Sequence, residues 1–495
     1  MKIVKYLSLF VAMLMVGILG VSALAITEDY TLTDDLNEGI TVDGATVVID
    51  LNGHTITNVD DVIVVRNQAD VTVRGEGNIV STGDSGISIY SGSKVTMEDG
   101  VVINAQEFGV YTAGQATFIM NGGTINTVDN IGVGGNGRNT ADYKDYTITI
   151  NGGTINANIS TDGYVSCGIY HPSEGTVNFN GGTINSSNGA GIVQRGGVLN
   201  INGGVINTAE KTPGILGKVG DSRQVVPAAA VVVDKMSAYP AYQTIETNIY
   251  SAAVINGAAG NIEKIGEPID INIQGGIYDE QIDESQLGEG YSAYLIVEGD
   301  FKDGYIVAKE DDFENVVSEG PVSADEVSDE DKALIEDLLK DYNLASYYDV
   351  QLLTVLKDND GVVVDNIKEA SAPVKITLGI PTDLPAVKEG FKRIYSIIRI
   401  HNGVATVIKN VTVKNNNAEF ESSEFSTYVL VYNDVEETTA TPLATTTNVA
   451  TTTTAAKEEN TSNPKTLDKI VIYVAAFGIS FIGMAKIITS KKEFN

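Results

Sequence analysis

The chain has 495 residues and a formal net charge of −33, with 32 Lys and Arg against 65 Asp and Glu. Nucleic-acid binding requires a basic surface, and no stretch of the globular part is basic, so nucleic acid is not an expected partner. The single cysteine, Cys167, excludes an intramolecular disulfide. We expect it to be a buried core thiol.

The first 25 residues have the three parts of a secretory signal peptide. Lys2 and Lys5 precede an apolar run over 6–21, and small residues at 22–25 supply an Ala-x-Ala cleavage site. This order is typical of exported proteins. The sequence therefore predicts cleavage after Ala25, and the alternative is an uncleaved N-terminal helix.

Residues 26–310 contain a repeated hexapeptide, Asn-Gly-Gly-Thr-Ile-Asn, in intact and looser copies. The copies begin at Asn52, Gly75, Asp99, Asn121, Asn151, Asn180, Asn202 and Gln274. Their spacings are 23, 24, 22, 30, 29, 22 and 72 residues. Regular steps interrupted by a few longer ones are typical of a solenoid whose coils carry insertions.

Each copy of the hexapeptide follows a run of alternating apolar and polar residues, such as Thr147-Ile148-Thr149-Ile150. This alternation predicts a strand with one buried side. A second short strand lies upstream, as at 86–90, and the Thr-Ile-Asn end of the hexapeptide supplies a third. Three strands per coil predict a right-handed parallel β-helix of about ten coils, on the order of 50 Å long.

The repeated Gly and Asn residues are expected to form the corners of the coils. Glycine permits a sharp turn with positive φ, and stacked Asn side chains can hydrogen-bond from coil to coil. The sequence predicts one such ladder, formed by Asn121, Asn151, Asn180 and Asn202. It also predicts a stack of inward-pointing residues, Ile125, Ile155, Ile184 and Ile206.

Residues 311–435 lack the repeat. The sequence predicts a helical, acidic linker at 311–344, in which Ser328-Asp329-Glu330-Asp331 resembles a capping box. Seven short strand-like runs at 345–435, separated by turns, predict an immunoglobulin-like β-sandwich. Its last run, 425–432, resembles the final strand of modules that precede the stalk in anchored Firmicutes surface proteins, and this resemblance implies a spacer.

The C-terminal part consists of a Thr-rich stalk at 436–462 and a terminal segment at 463–495. A stalk of this composition is expected to remain solvated. The terminal segment places a short motif before an apolar span at 470–488 and a basic pair, Lys491-Lys492. That order resembles the sortase cell-wall sorting signal of Gram-positive bacteria. The motif residues are Asn463, Pro464, Lys465 and Thr466.

The resemblance implies that a sortase joins Thr466 to peptidoglycan. The motif departs from the usual Leu-Pro-x-Thr-Gly pattern, since Asn463 replaces Leu and Leu467 replaces Gly. The alternative is a plain membrane anchor, for which 470–488 is barely long enough. Both interpretations place the body of the protein outside the cell, at the surface of a Gram-positive bacterium.

The predicted fold is shared with pectate lyases and polygalacturonases, so catalysis on a polysaccharide is an alternative function. The residue pattern of polygalacturonases is absent, and the adjacent acidic pair Asp60-Asp61 lies in a loop without those neighbours. The three His residues do not have metal-ligand spacing. The sequence therefore predicts no catalytic residue, metal or cofactor.

Binding is the favoured function, because the long coils place insertions after equivalent strands, at 127–145, 157–163 and 208–227. Insertions of this kind emerge on one edge of a solenoid, which is often a binding face. They contain scarce positive charges, and tyrosines recur at near-equivalent positions of the coils. Tyrosine can stack on a sugar ring, although these rings could instead be spacers. The predicted ligand-binding residues are Tyr111, Arg138, Tyr143, Tyr170 and Arg223.

These features together resemble adhesin-like β-helix surface proteins. The expected function is the presentation of a β-helix that binds a host or dietary glycan or a protein, by a chain that is a monomer. The alternative is a secreted polysaccharide-acting enzyme, a lyase or glycoside hydrolase, with the fold of pectate lyases. New reducing or unsaturated ends on a polysaccharide would distinguish the enzyme from the binder.

Overall fold

The computed structural model describes residues 23–437 apart from 129–130, 139, 158–163, 166, 188, 210–213, 217–224, 236–243, 251–252, 258–259, 267 and 358. The chain divides into two compact units. The first contains residues up to 296 together with 301–310, and the second contains 297–300 and the residues from 311 onward. Most of the predicted signal peptide, the stalk and the sorting segment lie outside the described residues.

The first unit consists of three long sheets, here named A, B and C, and the chain visits them in that order once per coil. Sheet A contains Leu24–Ile26, Ile40–Asp43, Ile63–Arg66, Ile87–Ile89, Phe108–Thr112, Ile131–Gly135, Cys167–His171, Ile192–Gln194, Val231–Asp234 and Ile262–Ile265. Sheet B contains Tyr30–Thr31, Thr46–Asp50, Asp70–Arg74, Lys94–Met97, Thr117–Met120, Tyr146–Ile150, Gly175–Phe179, Gly197–Ile201, Ile245–Ile249 and Asp270–Ile273.

Sheet C completes each coil and also carries the end of the unit. Its strands are Thr55–Asn58, Gly77–Ser81, Val101–Ala105, Thr124–Thr127, Thr154–Ala157, Thr183–Ser186, Gly204–Thr208, Ala253–Gly257, Ile277–Tyr278, Ser292–Leu295 and Tyr305–Ala308. Strands of successive coils pair in parallel, as Lys94 does with Thr117 in sheet B. Long parallel sheets stacked in this way are the architecture of a parallel β-helix, whereas the handedness stays a prediction.

The hexapeptide lies where sheet B turns into sheet C. Gly153 in this corner has a φ of 87°, and a Cβ atom there would lie 2.6 Å from the carbonyl oxygen of Gly123 in the preceding coil. Only glycine tolerates both the left-handed backbone and this close approach. The repeated Gly pair is therefore required by the stacking of the corners.

The predicted asparagine ladder is confirmed. The side-chain amide of Asn151 donates to the side-chain oxygen of Asn121 at 2.9 Å, Asn180 donates to Asn151 at 2.9 Å, and Asn202 donates to Asn180 at 2.7 Å. The last Asn of the hexapeptide forms a second ladder, with donor–acceptor distances between 2.8 and 3.0 Å. Its members are Asn104, Asn126, Asn156, Asn185, Asn207 and Asn256.

The predicted isoleucine stack is also confirmed. Ile125, Ile184 and Ile206 are fully buried and Ile155 is 1% exposed. Each is paired in register with its equivalent in the next coil of sheet C. The alternation of the repeat thus places one side of every strand in a single continuous core.

The ends of the repeat differ from its middle. The last parallel pairing of sheet C is at Ile277–Tyr278, and the hairpin of Ser292–Leu295 and Tyr305–Ala308 then adds antiparallel strands. Antiparallel strands at this edge end the parallel stacking of coils. At the other end, the predicted cleavage point after Ala25 falls inside the strand Leu24–Ile26.

The second unit contains two antiparallel sheets and two clusters of buried apolar residues. The larger sheet contains Phe313–Val322, Asn343–Leu356, Asn359–Ile367, Phe391–His401, Val404–Ile408 and Thr427–Glu436. The smaller sheet contains Glu369–Gly379, Thr412–Lys414 and Asn417–Glu424. The predicted strand-like runs are thus present with two additional strands, and the immunoglobulin-like topology stays a prediction.

The segment predicted as a linker is part of this second unit. Phe313–Val322 pairs along its whole length with Asn343–Leu356. A short helix follows at Asp329–Ile335, and the Ser328 hydroxyl accepts a hydrogen bond from the Asp331 N–H at 3.1 Å, as a capping residue does. Across both units, short 3-10 helices lie at Glu284–Gln286, Glu310–Asp312 and Leu338–Lys340.

Candidate functional site

The outer face of sheet A is the candidate site, because the long insertions of the first unit all border this sheet. Insertions at 158–166 and 209–227 precede its strands, and insertions at 136–145 and 235–244 follow them. Short strands within two of these insertions, Tyr164–Val165 and Gly214–Leu216, pair with each other. Each of these insertions therefore begins or ends at a strand of sheet A, and such loops often carry binding residues.

The prediction that all three insertions follow the same strand is wrong for 127–145. This segment contains the sheet A strand Ile131–Gly135, so its extra residues lie after sheet A and not before it. The strand is difficult to recognise because it contains three glycines and lacks alternating polar side chains. The 72-residue interval between the hexapeptide copies at Asn202 and Gln274 is a separate case. It contains one complete coil, ending at Ala253–Gly257, and two long insertions.

Three tyrosines from different parts of the chain meet on this face and are named here the tyrosine cluster: Tyr90, Tyr111 and Tyr143. The ring centroids of Tyr90 and Tyr111 are 5.7 Å apart with the planes inclined by 55°. Phe108 packs edge-on against Tyr111 at 5.3 Å. Burial raises the pKa of both Tyr90 and Tyr111, and the nearby Tyr143 adds to each rise. Aromatic rings in this arrangement offer apolar faces and polar hydroxyls together.

Arg138 lies over the ring of Tyr143, with its guanidinium carbon 5.3 Å from the ring centroid. Burial raises the pKa of Tyr111, the neighbouring tyrosines add to the effect, and Asn136 and Arg138 oppose it. The structure therefore brings together three of the predicted binding residues, Tyr111, Arg138 and Tyr143. Arg138 itself is exposed and available to an anionic group.

The structure separates Tyr170 from the cluster. Tyr170 occupies the same register position as Tyr111, two coils further on, with Gly134 between them. It is fully buried, and its hydroxyl accepts a hydrogen bond from Arg195 at 3.1 Å. Tyr170 therefore has no exposed face on which a ligand could stack.

Arg195 and Asp234 form a buried ion pair on the outer side of sheet A, which the sequence did not indicate. The Arg195 Nε atom lies 3.0 Å from the Asp234 carboxylate, and the residues are 1% and 2% exposed. Burial raises the pKa of Asp234, whereas Arg195 opposes the rise. Cys167 is fully buried in a small apolar cluster with Tyr170 and Val193, which confirms the prediction of a buried thiol, and burial raises its pKa to about 12.

Two carboxylates, Asp61 and Asp84, adjoin the tyrosine cluster. Both raise the pKa of Tyr90, although burial is the largest cause of that rise. Burial raises the pKa of Asp61, Asp84 adds to the rise, and the hydroxyls of Ser88 and Ser85 oppose it. The sequence predicts only a loop position for Asp61, whereas its 23-residue interval to Asp84 equals one coil and indicates that the two residues lie in adjacent coils.

The histidines do not form a metal site. His171 is fully buried in the core, where its Nδ1 atom lies 2.9 Å from the Tyr146 hydroxyl oxygen. The Nδ1 atom of His54 lies 3.5 Å from the Asp35 carboxylate, and the Nε2 atom of His401 lies 3.2 Å from the Glu369 carboxylate. These two pairs are far apart from each other in the sequence. The described part of the chain contains no group of three His, Cys, Asp or Glu residues that could hold a metal ion.

An open groove follows the corner between sheets B and C, and it is lined by Asp99, Asn121, Gly122 and Gly153 among others. Its walls are backbone, amides and small side chains, without an aromatic ring or a basic group among the lining residues. Such a surface supplies few groups that could orient a ligand. The outer face of sheet A is therefore the stronger candidate.

Comparison of the chain with family models, curated proteins and solved structures gives no match. In the described part, no helix is long and apolar enough to cross a membrane. The predicted span at 470–488, the motif from Asn463 to Thr466 and the predicted binding residue Arg223 lie outside the described residues.

Proposed function

We propose that the protein is a surface-exposed binder whose β-helix holds a glycan on the outer face of sheet A. The observation that carries this proposal is the tyrosine cluster with Arg138 beside it. Binding sites for small polar ligands combine apolar faces with a few placed polar groups. Among the described surfaces, this face combines aromatic rings, an exposed cation and bordering loops.

A glycan with acidic sugars suits these groups best. The rings of Tyr90 and Tyr111 are half-buried and held against each other, so they lose little conformational freedom when a ligand stacks on them. Arg138 supplies paired N–H donors that match a carboxylate. Because the chain has a net charge of −33, an exposed cation on this face would select an anionic group locally.

The proposal is tested by binding on an array of acidic and neutral glycans, combined with an assay for new reducing ends. We expect acidic glycans to bind without release of products. Tyr111→Ala and Arg138→Ala should each weaken binding about tenfold, the loss of one stacking or charge-assisted contact. Release of reducing or unsaturated ends would instead favour the polysaccharide-acting enzyme.

Matched controls separate this face from the rest of the molecule. Tyr395→Ala removes another half-buried tyrosine, whose ring lies 6.2 Å from that of Tyr432 in the second unit. Arg74→Ala removes an exposed arginine of sheet B that is paired with Asp50 at 3.0 Å. If these controls weaken binding as much as Tyr111→Ala and Arg138→Ala, the site has been misplaced.

We also propose that the protein is attached to the cell wall through Thr466, with the second unit acting as a spacer that precedes the stalk in the chain. The support is the order of motif, apolar span and basic tail, and muramidase digestion of cells tests it. Release of a soluble form that lacks Lys491-Lys492 is the expected result. Recovery of the intact tail only in the membrane fraction would leave a plain membrane anchor.

A further inference from the structure

The acidic patch formed by Asp61, Asp84 and Ser88 adjoins the tyrosine cluster on sheet A. Asp61 precedes the strand Ile63–Arg66, and Asp84 precedes Ile87–Ile89, which is the next strand of the sheet. The two carboxylates therefore belong to turns of adjacent coils. Each lies close enough to Tyr90 to act on it electrostatically.

Other aspartates of the same coils form ion pairs with an Arg or Lys residue of the neighbouring coil. The carboxylates of Asp43, Asp50 and Asp70 lie 2.9, 3.0 and 3.2 Å from the cationic groups of Arg66, Arg74 and Lys94. Asp61 and Asp84 form no ion pair with any described residue, although the Asp84 carboxylate accepts a hydrogen bond from the Ser85 hydroxyl at 3.1 Å. Two like charges in adjacent turns repel each other, and a bound cation would relieve that repulsion.

Ser88 supplies an independent sign of a missing ligand. It lies on the outward row of sheet A, paired in register with Tyr111, and it is fully buried. Its hydroxyl faces the Asp61 carboxylate and the Tyr90 hydroxyl, but it has no hydrogen-bond partner of regular geometry among the described residues. A buried hydroxyl without a partner is costly.

We propose that Asp61, Asp84 and Ser88 form a subsite for the ammonium group of an amino sugar whose ring stacks on Tyr90. An ammonium group has three donors and no acceptor, and the patch offers two carboxylates and one hydroxyl. A metal ion is a poorer occupant, because no third His, Cys, Asp or Glu ligand joins the patch in the described part. This inference rests on the proposed function, since the same cluster would hold the sugar.

The ligand is then a glycan with charges of both signs, with its carboxylate at Arg138 and its ammonium at the acidic patch. The matched probes are oligosaccharides of alternating uronic acid and hexosamine, in the N-acetylated form and in the form with the acetyl groups removed. The two forms share every carboxylate and differ only in the ammonium. Calorimetric titration of the full-length protein with both forms measures the preference.

The protein should bind the form with free ammonium groups about tenfold more tightly, a difference equal to one charge-assisted contact. Asp61→Asn and Asp84→Asn should abolish this preference, whereas the adjacent Asp60→Asn should keep it. Arg138→Ala should weaken the binding of both forms by the same factor. Thermal melts of each variant verify folding, and Ser88→Ala, which preserves every charge, should reduce the preference independently.

The outcomes separate the two proposals. Equal affinity for both forms, with Arg138→Ala still weakening binding, overturns the ammonium subsite and leaves the proposed glycan binding intact. A preference that survives in Asp61→Asn, Asp84→Asn and Ser88→Ala also overturns the subsite. Failure of the unsubstituted protein to bind any acidic glycan, with or without ammonium, overturns both.

Discussion

Strands in the two units of this chain pair with partners at different separations along the sequence. In the β-helix, a strand pairs with its equivalent one coil away, so Lys94 is opposite Thr117 and Thr117 is opposite Thr147. In the second unit, Asn343 is opposite Tyr432, 89 residues away. A repeated sequence specifies its register again in every coil, whereas a non-repeated sandwich specifies each pairing once.

This difference predicts different responses to damage. Solenoid stability is approximately a sum of coil and nearest-neighbour terms, so a defect is expected to act locally. A small two-sheet unit without repeats unfolds cooperatively, so a defect is expected to act on all of it. The following substitutions test this contrast, beginning with the largest expected effect.

Asp234→Asn should have the largest effect, about 3 to 5 kcal/mol of unfolding free energy, because it removes the charged carboxylate that pairs with the buried Arg195. The control is Asp70→Asn, which breaks a pair with Lys94 in which both side chains are 42% exposed. Exposed pairs contribute at most about 1 kcal/mol. Equal losses for the two variants in denaturant unfolding would show that the Arg195–Asp234 pair is hydrated.

Ile155→Ala should cost about 2 to 5 kcal/mol, because it leaves a cavity in the stack of sheet C. Hydrogen exchange should show reduced protection in the coils next to Ile155, with distant coils protected as before. Leu430→Ala, at an equally buried position of the second unit, should reduce protection throughout that unit. The local-damage argument fails if Ile155→Ala reduces protection uniformly along the β-helix.

His171 should make the β-helix sensitive to acid. Burial lowers its pKa from 6.5 to about 3, so the unfolded state binds the proton first as the pH falls. The stability contribution is therefore complete above pH 6.5 and is lost towards pH 3, by at most about 1.4 kcal/mol per pH unit. His171→Gln should flatten this slope, and His401→Gln in the second unit is the control.

The asparagine ladders should give the smallest effects. Asn151 and Asn156 each donate one ladder hydrogen bond and accept another, all at 2.9 Å, but Asn151 is exposed and Asn156 is half-buried. Asn156→Ala should cost about 1 to 2 kcal/mol, because it leaves half-buried partners unsatisfied. Asn151→Ala should cost less, since water replaces the lost bonds; the reverse order in thermal melts would contradict this reasoning.

The candidate site could be predicted from the sequence only in part. Tyr111, Arg138 and Tyr143 were named from composition and position, and they do meet on one face. Their meeting depends on the path of the loop at 136–145, which has no repeat to specify it. Asp61 and Asp84 are separated by one coil in the sequence, but their proximity to Tyr90 became visible only when the outer face of sheet A was assembled.

By itself, the sequence determined the period, the register, the inward isoleucines and the asparagine ladder, because each is repeated in coil after coil and is a local consequence of strand alternation and glycine geometry. Tertiary structure decided which outward side chains are covered. Tyr111 and Tyr170 have equivalent register positions, yet Tyr170 is enclosed with Arg195 and Asp234, two residues 39 positions apart in the chain. Whether an outward residue is buried depends on segments outside the repeat. The repeat period therefore cannot predict which outward residues are buried.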